Sequence, residues 1–145
     1  MRRYILILAL ALCAPAAAEA QAGWRPPSGE MPMMPTATEI RGNWQSGRAG
    51  WFQGLDGLTG VGVASLRASG EPRSGSDHVQ IARFTSGPLP VVIWSDRNGD
   101  DRADMIEMFR SGGVIIQVVD ADYDGQVNVV RTYDAQGKLV NQDRM

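Results

Sequence analysis

The stretch DRNGDDRADMIEMFRSGGVII, residues 96–116, is followed by DADYDGQVNVVRTYDAQGKLV, residues 120–140. Slid by 24 residues, the two align. Asp96 falls on Asp120, Asn98 on Asp122, Asp100 on Asp124 and Asp104 on Asn128. Phe109 falls on Tyr133, Gly113 on Gly137, Ile115 on Leu139 and Ile116 on Val140. A polar loop, an aromatic, a turn glycine and an apolar pair recur together, which marks a supersecondary repeat of loop, strand, turn and strand. The segment IARFTSGPLPVVIW reads as an earlier hairpin of the same kind, with its loop degraded to EPRSGSDH.

From Val79 onward, short runs of β-formers alternate with turn chemistry. VQIARF, LPVVIW, DMIEMF, VIIQVV, VNVVRTY and KLVNQ are separated by SGP, SDRNGDDRA, RSGG, DADYDGQ and DAQG. Val127, Val129, Arg131 and Tyr133 show period-two spacing. The pattern predicts a mainly β protein, a β-meander of repeated hairpins joined by acidic loops.

The remaining chain divides by composition. Arg2 and Arg3, the apolar run Tyr4–Cys13 and Ala18-Glu19-Ala20 predict a signal peptide over 1–20. The mature chain is then expected to be secreted or periplasmic. The lone cysteine, Cys13, falls inside that signal, so no disulfide is expected. Leu12 before it argues against lipidation. The apolar run is too short for a membrane span of roughly 20 residues. Residues 21–41 carry four prolines and read as a disordered Pro/Met-rich linker. Residues 42–78 are glycine-rich and read as irregular, with one or two short strands, and 79–145 as the hairpin repeat domain.

Charge narrows the function classes. The formal charge is -2 for the whole chain, and a cleaved signal peptide makes it slightly more negative, so neither nucleic acid nor an anionic membrane surface is favoured. Eight of the 16 acidic residues lie between Asp96 and Asp124. His78 is the only histidine, which excludes a histidine-based zinc site, and no nucleophile motif surrounds it. The acids are clustered as ligands, not paired across a cleft, so no enzyme is expected. Met31, Met33 and Met34 offer soft thioethers to Cu(I), though three methionines in a proline-rich linker are more often just linker.

In each loop, acid or amide side chains occupy positions 1, 3, 5 and 9. Ca²⁺ takes 6–8 oxygens, among them a backbone carbonyl at position 7. DRNGDDRAD and DADYDGQVN resemble the DxDxDGxxD calcium loops of EF-hand-like, dockerin and FG-GAP-type proteins, and the whole resembles secreted bacterial proteins with tandem hairpin repeats of this kind. The resemblance covers residues 79–145. It implies Ca²⁺ held by Asp96, Asn98, Asp100, the Arg102 carbonyl and Asp104, and by Asp120, Asp122, Asp124, the Gln126 carbonyl and Asn128. Glu107 stands at the position of the bidentate glutamate of an EF-hand and is a further candidate, but VNVVRTY favours a strand over an exiting helix.

Position 6 calls for positive φ, met by Gly125 in the second loop and occupied by Asp101 in the first. The alternative is that the acidic loops are plain turns, neutralised by Arg97 and Arg102. The protein would then be an envelope interaction module whose Gly/Trp-rich segment binds a protein partner.

Overall fold

A computed structural model of the chain describes residues 24–145. The predicted signal peptide and residues 21–23 lie outside them. Seven antiparallel strands form one open sheet in chain order, the meander the alternation predicts. They are β1 (Arg67–Pro72), β2 (Val79–Ser86), β3 (Leu89–Ser95), β4 (Met105–Arg110), β5 (Gly113–Val119), β6 (Val129–Tyr133) and β7 (Leu139–Arg144).

The hairpins share a register feature. Three hairpins, β2–β3, β4–β5 and β6–β7, each carry a register shift after Phe84, Met108 and Thr132, at a constant step. A bulge turns the strand at the same place in each. Phe109 and Tyr133 stand at equivalent positions just beyond it, as the alignment requires.

The last hairpin differs in one respect. Met108 pairs with Ile116, but Thr132 pairs with Asn141. The alignment of Ile116 with Val140 is therefore corrected: Ile116 corresponds to Asn141, and Val118 to Asp143. The turn at Asp134–Lys138 is one residue longer, closed by Asp134 Oδ1 accepting from the Gln136 and Lys138 amides, each at 2.9 Å. The core face thus ends in polar residues at β7. Val140 is 55% exposed, and Asp143 pairs with Arg25 at 2.9 Å. Such polarity blunts an edge strand against further pairing.

One face of the sheet carries the core. Ala82, Phe84, Val92, Trp94, Ile106, Met108, Ile116, Val118 and Val130 are buried on it. The Gly-rich segment covers it, and not as irregular chain alone. Helix α1 (Ala37–Arg41) precedes it, and the segment itself folds into a 3-10 turn (Ala49–Phe52), helix α2 (Leu55–Thr59), a second 3-10 turn (Val63–Ser65) and β1. Glycines at positive φ such as Gly54 and Gly60 start and stop α2. Phe52 stacks on Trp94 at 5.5 Å between ring centroids, and Trp44 meets Phe84 at 4.8 Å. Two layers around one core result.

Residues 24–41, read from composition as a disordered linker, are packed. Residues 29–37 form a strap across the ends of the hairpins. Gly29 O, Pro32 O and Pro35 O accept from the amides of Val127, Ala103 and Val79 at 2.8, 3.0 and 3.0 Å. The amides of Met31, Met34 and Ala37 donate to the carbonyls of Gly125, Asp101 and Asp77 at 2.9, 2.8 and 3.0 Å. Three strap residues thus match one hairpin. The lengths agree: three residues of polyproline-type chain advance about 9.3 Å, and two strand spacings make about 9.6 Å. Pro32 and Pro35 contribute only carbonyls, so their missing amides cost nothing. Met31 and Met34 precede them, where extended backbone is favoured. Both methionines are buried, at 1% and 0% exposure, and their side chains belong to the core. Arg48, buried beneath, donates to Met33 O and Met34 O and pairs with Glu39.

Candidate metal centre

The two acidic loops lie at the same end of the sheet, one after β3 and one after β5. Local hydrogen bonding folds them alike. The position 1 carboxylate accepts from two amides across the loop: Asp96 from Gly99 (2.7 Å) and Asp101 (2.9 Å), Asp120 from Asp124 (3.3 Å) and Gly125 (2.8 Å). The position 5 carboxylate accepts from position 7: Asp100 from Arg102 and Asp124 from Gln126, both at 2.9 Å. Position 9 reaches back to positions 2 and 3. Asp104 Oδ2 accepts from Arg97 and Asn98, and Asn128 Oδ1 from Ala121 and Asp122.

Positive φ recurs as well. Position 6 is left-handed in both loops, with φ 68° at Asp101 and 84° at Gly125, as expected. Position 4 is left-handed too, with φ 80° at Gly99 and 62° at Tyr123, which the residue types did not reveal. A side chain at Gly99 would also meet Arg73, since its Cβ would lie 2.9 Å from Nη1.

This folding brings carboxylates together. Asp96, Asp100 and Asp104 each place an oxygen within 4.8 Å of the others, and so do Asp120, Asp122 and Asp124. Like charges at that separation repel by about 3.5 kcal/mol per pair at an effective dielectric near 20, and less where Asp100, Asp122 and Asp124 meet solvent. The strap bonds positions 6 and 8 of each loop. Among the described residues, nothing donates to the Arg102 or Gln126 carbonyl between them. Asn98 Oδ1 accepts from the Asp100 amide at 3.2 Å. Glu107 is not brought to the cluster. It sits on β4 opposite Gln117, whose Nε2 donates to its Oε2 at 3.3 Å.

Asp104 is the singular member. It is 2% exposed, and its Oδ1 is buried without a hydrogen-bond partner. Burial raises its pKa above the ordinary aspartate value. The Arg97 and Asn98 amides oppose that shift, and the charges of Asp96 and Asp100 add to it. A buried carboxylate oxygen left unpaired costs more than the 1–3 kcal/mol typical of a neutral group. A hard cation among the carboxylates would satisfy it, so the donor set of the first loop fits a metal ion.

Neither Arg97 nor Arg102 neutralises the cluster. Arg97 turns to Met105 Sδ and Arg102 to Met31 O. The cation is Arg73, from the degraded loop, at 2.9 Å from Asp96 and 3.3 Å from Asp101. Ser76 Oγ donates to Asp101 at 2.7 Å, and His78 Nδ1 lies 3.5 Å from it. The degraded loop has exchanged ligands for donors. Its signal in the sequence was an arginine, Arg73, at the repeat position of Arg97, with Pro72, Ser74, Ser76 and Gln80 in place of the four ligand positions.

Comparison with protein-family models, curated proteins and solved structures finds no match. No helix among the described residues is long and apolar enough to cross a membrane. Fold and site together define the class: a mainly β protein with two Asp triads that could hold a metal ion.

Proposed function

We propose that this is an exported, non-enzymatic calcium-binding protein whose Asp-rich loops hold Ca²⁺ chiefly for structural stability. The observation that carries the reading is the convergence of three carboxylates in each of two successive loops. All-oxygen donors favour a hard cation over softer metals. The first loop would use Asp96, Asn98, Asp100, the Arg102 carbonyl and Asp104. The second would use Asp120, Asp122, Asp124 and the Gln126 carbonyl, with Asn128 at its ninth position. When bound, the ion supplies positive charge that reverses the repulsion among the carboxylates.

The alternative of a docking surface in the Gly/Trp-rich segment loses its main support, because Trp44, Trp51 and Phe52 are only 8%, 6% and 2% exposed. Thermal melts in chelator and in excess Ca²⁺ test the proposal. Affinities near roughly 10⁻⁴–10⁻³ M are expected for an extracellular module. A hundredfold excess over Kd stabilises the fold by about 2.7 kcal/mol. Asp100→Ala and Asp124→Ala should each remove part of that response. If the aspartates are only turn residues, calcium moves no melting temperature, and the same variants are neutral or slightly stabilising.

A further inference from the structure

The two loops share their backbone hydrogen bonding yet differ at one atom. At position 9 of each, two amides point at one side-chain oxygen: Arg97 and Asn98 at Asp104 Oδ2, Ala121 and Asp122 at Asn128 Oδ1. Two converging N–H groups require an acceptor, so the orientation of the Asn128 amide is dictated. Its other atom is then nitrogen. Where Asp104 presents a buried oxygen without a partner, Asn128 presents an –NH₂ group. An N–H donor has no lone pair to give a cation.

We infer that the loops are unequal ion sites: Asp104 makes Asp96–Asp104 the principal Ca²⁺ site, and Asn128 withdraws the equivalent ligand from Asp120–Asn128. The inference rests on the calcium reading above and goes further by ranking the sites and naming the residue that ranks them. An opposing feature is Arg73, which pairs with Asp96 Oδ2 at 2.9 Å, whereas no ion pair engages Asp120 among the described residues. Asp96 accepts three hydrogen bonds, from Gly99, Asp101 and Arg73. A carboxylate offers about four lone-pair sites, so one remains for an ion. The Arg73 side chain is 23% exposed, so its competing charge is partly screened by water. The unpartnered oxygen of Asp104 has no such relief. Its cost stands in the ion-free fold and is recovered only on binding, which favours the first loop.

The test is calcium chloride titrated calorimetrically into the chelator-stripped mature chain, with thermal melts alongside. The parent should show one tighter and one weaker event, separated roughly tenfold or more, since even outer-shell changes shift metal affinity by about 10–100-fold. Asp104→Asn keeps an acceptor for Arg97 and Asn98, so circular dichroism should be unchanged while the tighter event disappears. Asn128→Asp should tighten the weaker event toward the first, a gain that unfolding cannot mimic. If the tighter event survives Asp104→Asn and is lost in Asp124→Asn, the ranking is overturned while the calcium reading stands. If no variant, Asn128→Asp included, shows heat or a melting shift, both fall.

Discussion

Arg73 Nη1 lies 2.9 Å from Asp96 Oδ2, joining the loop that has no carboxylate at its ligand positions to the first loop that keeps them. Asp96 is almost fully buried, with 1% of its side chain exposed, and without this guanidinium only backbone amides would balance its charge. In chelator, Arg73→Met is expected to destabilise the fold by about 1.5–3 kcal/mol, the range for hydrogen bonds to charged groups. Calcium should then raise the melting temperature more than it does in the parent, because the added cation replaces the missing one. Equal melting in chelator and an equal calcium shift would mean Arg73 does not compensate the cluster.

The strap is open to a direct comparison. Met34→Ala truncates a side chain of 0% exposure and is expected to cost about 2–5 kcal/mol. Met33→Ala, at 39% exposure, should fall within about 0.5 kcal/mol of the parent. Urea unfolding of the two variants decides it, since chain that is free of the core would make both neutral.

Two residues share left-handed backbone and should answer differently to glycine. Tyr123, with φ 62° and 46% exposure, has no side-chain hydrogen bond among the described residues. Left-handed backbone costs roughly 1–2 kcal/mol, and glycine's greater unfolded entropy returns part of that. Tyr123→Gly should therefore stabilise by about 0.5–1 kcal/mol. Asp101, with φ 68°, is bonded by Ser76 and Arg73. Asp101→Gly should gain nothing or lose stability, as chemical unfolding in chelator would reveal.

Acid should act on Asp104 with a defined sign. Its folded pKa is raised, chiefly by burial, so the fold favours the protonated form. In chelator, the charged group weakens the fold at neutral pH. That penalty lifts as pH falls through the raised pKa and is gone below the ordinary aspartate value of about 3.9. Asp104→Asn should thus be the more stable chain in chelator at neutral pH, with the gap closing on acidification. In excess calcium at neutral pH the order should reverse, because the parent alone gains the full ion. Melts across pH with and without calcium measure both.

The hairpins were legible because β structure at a sheet face is written in short-range alternation, and the 24-residue step of the loops repeated it. Loop positions 1, 3, 5 and 9 were legible for the same reason: a tight loop takes its ligands from neighbours in the chain. What only the tertiary structure decided involves partners distant in sequence. The strap has neither helical nor strand alternation, and no internal hydrogen bonds to announce it. Its order comes from carbonyls and amides of loops some 40–100 residues away, and from a core that receives Met31 and Met34. The extra residue in the last turn, which sets Asn141 and Asp143 on the core face, is visible only once the strands pair. Arg73 likewise reaches Asp96 across the sheet end. The orphan oxygen of Asp104 exists because the surrounding chain buries a carboxylate whose local partners satisfy only its other oxygen. Composition could supply the charges at the loops; burial alone determined which of them would be left wanting a cation.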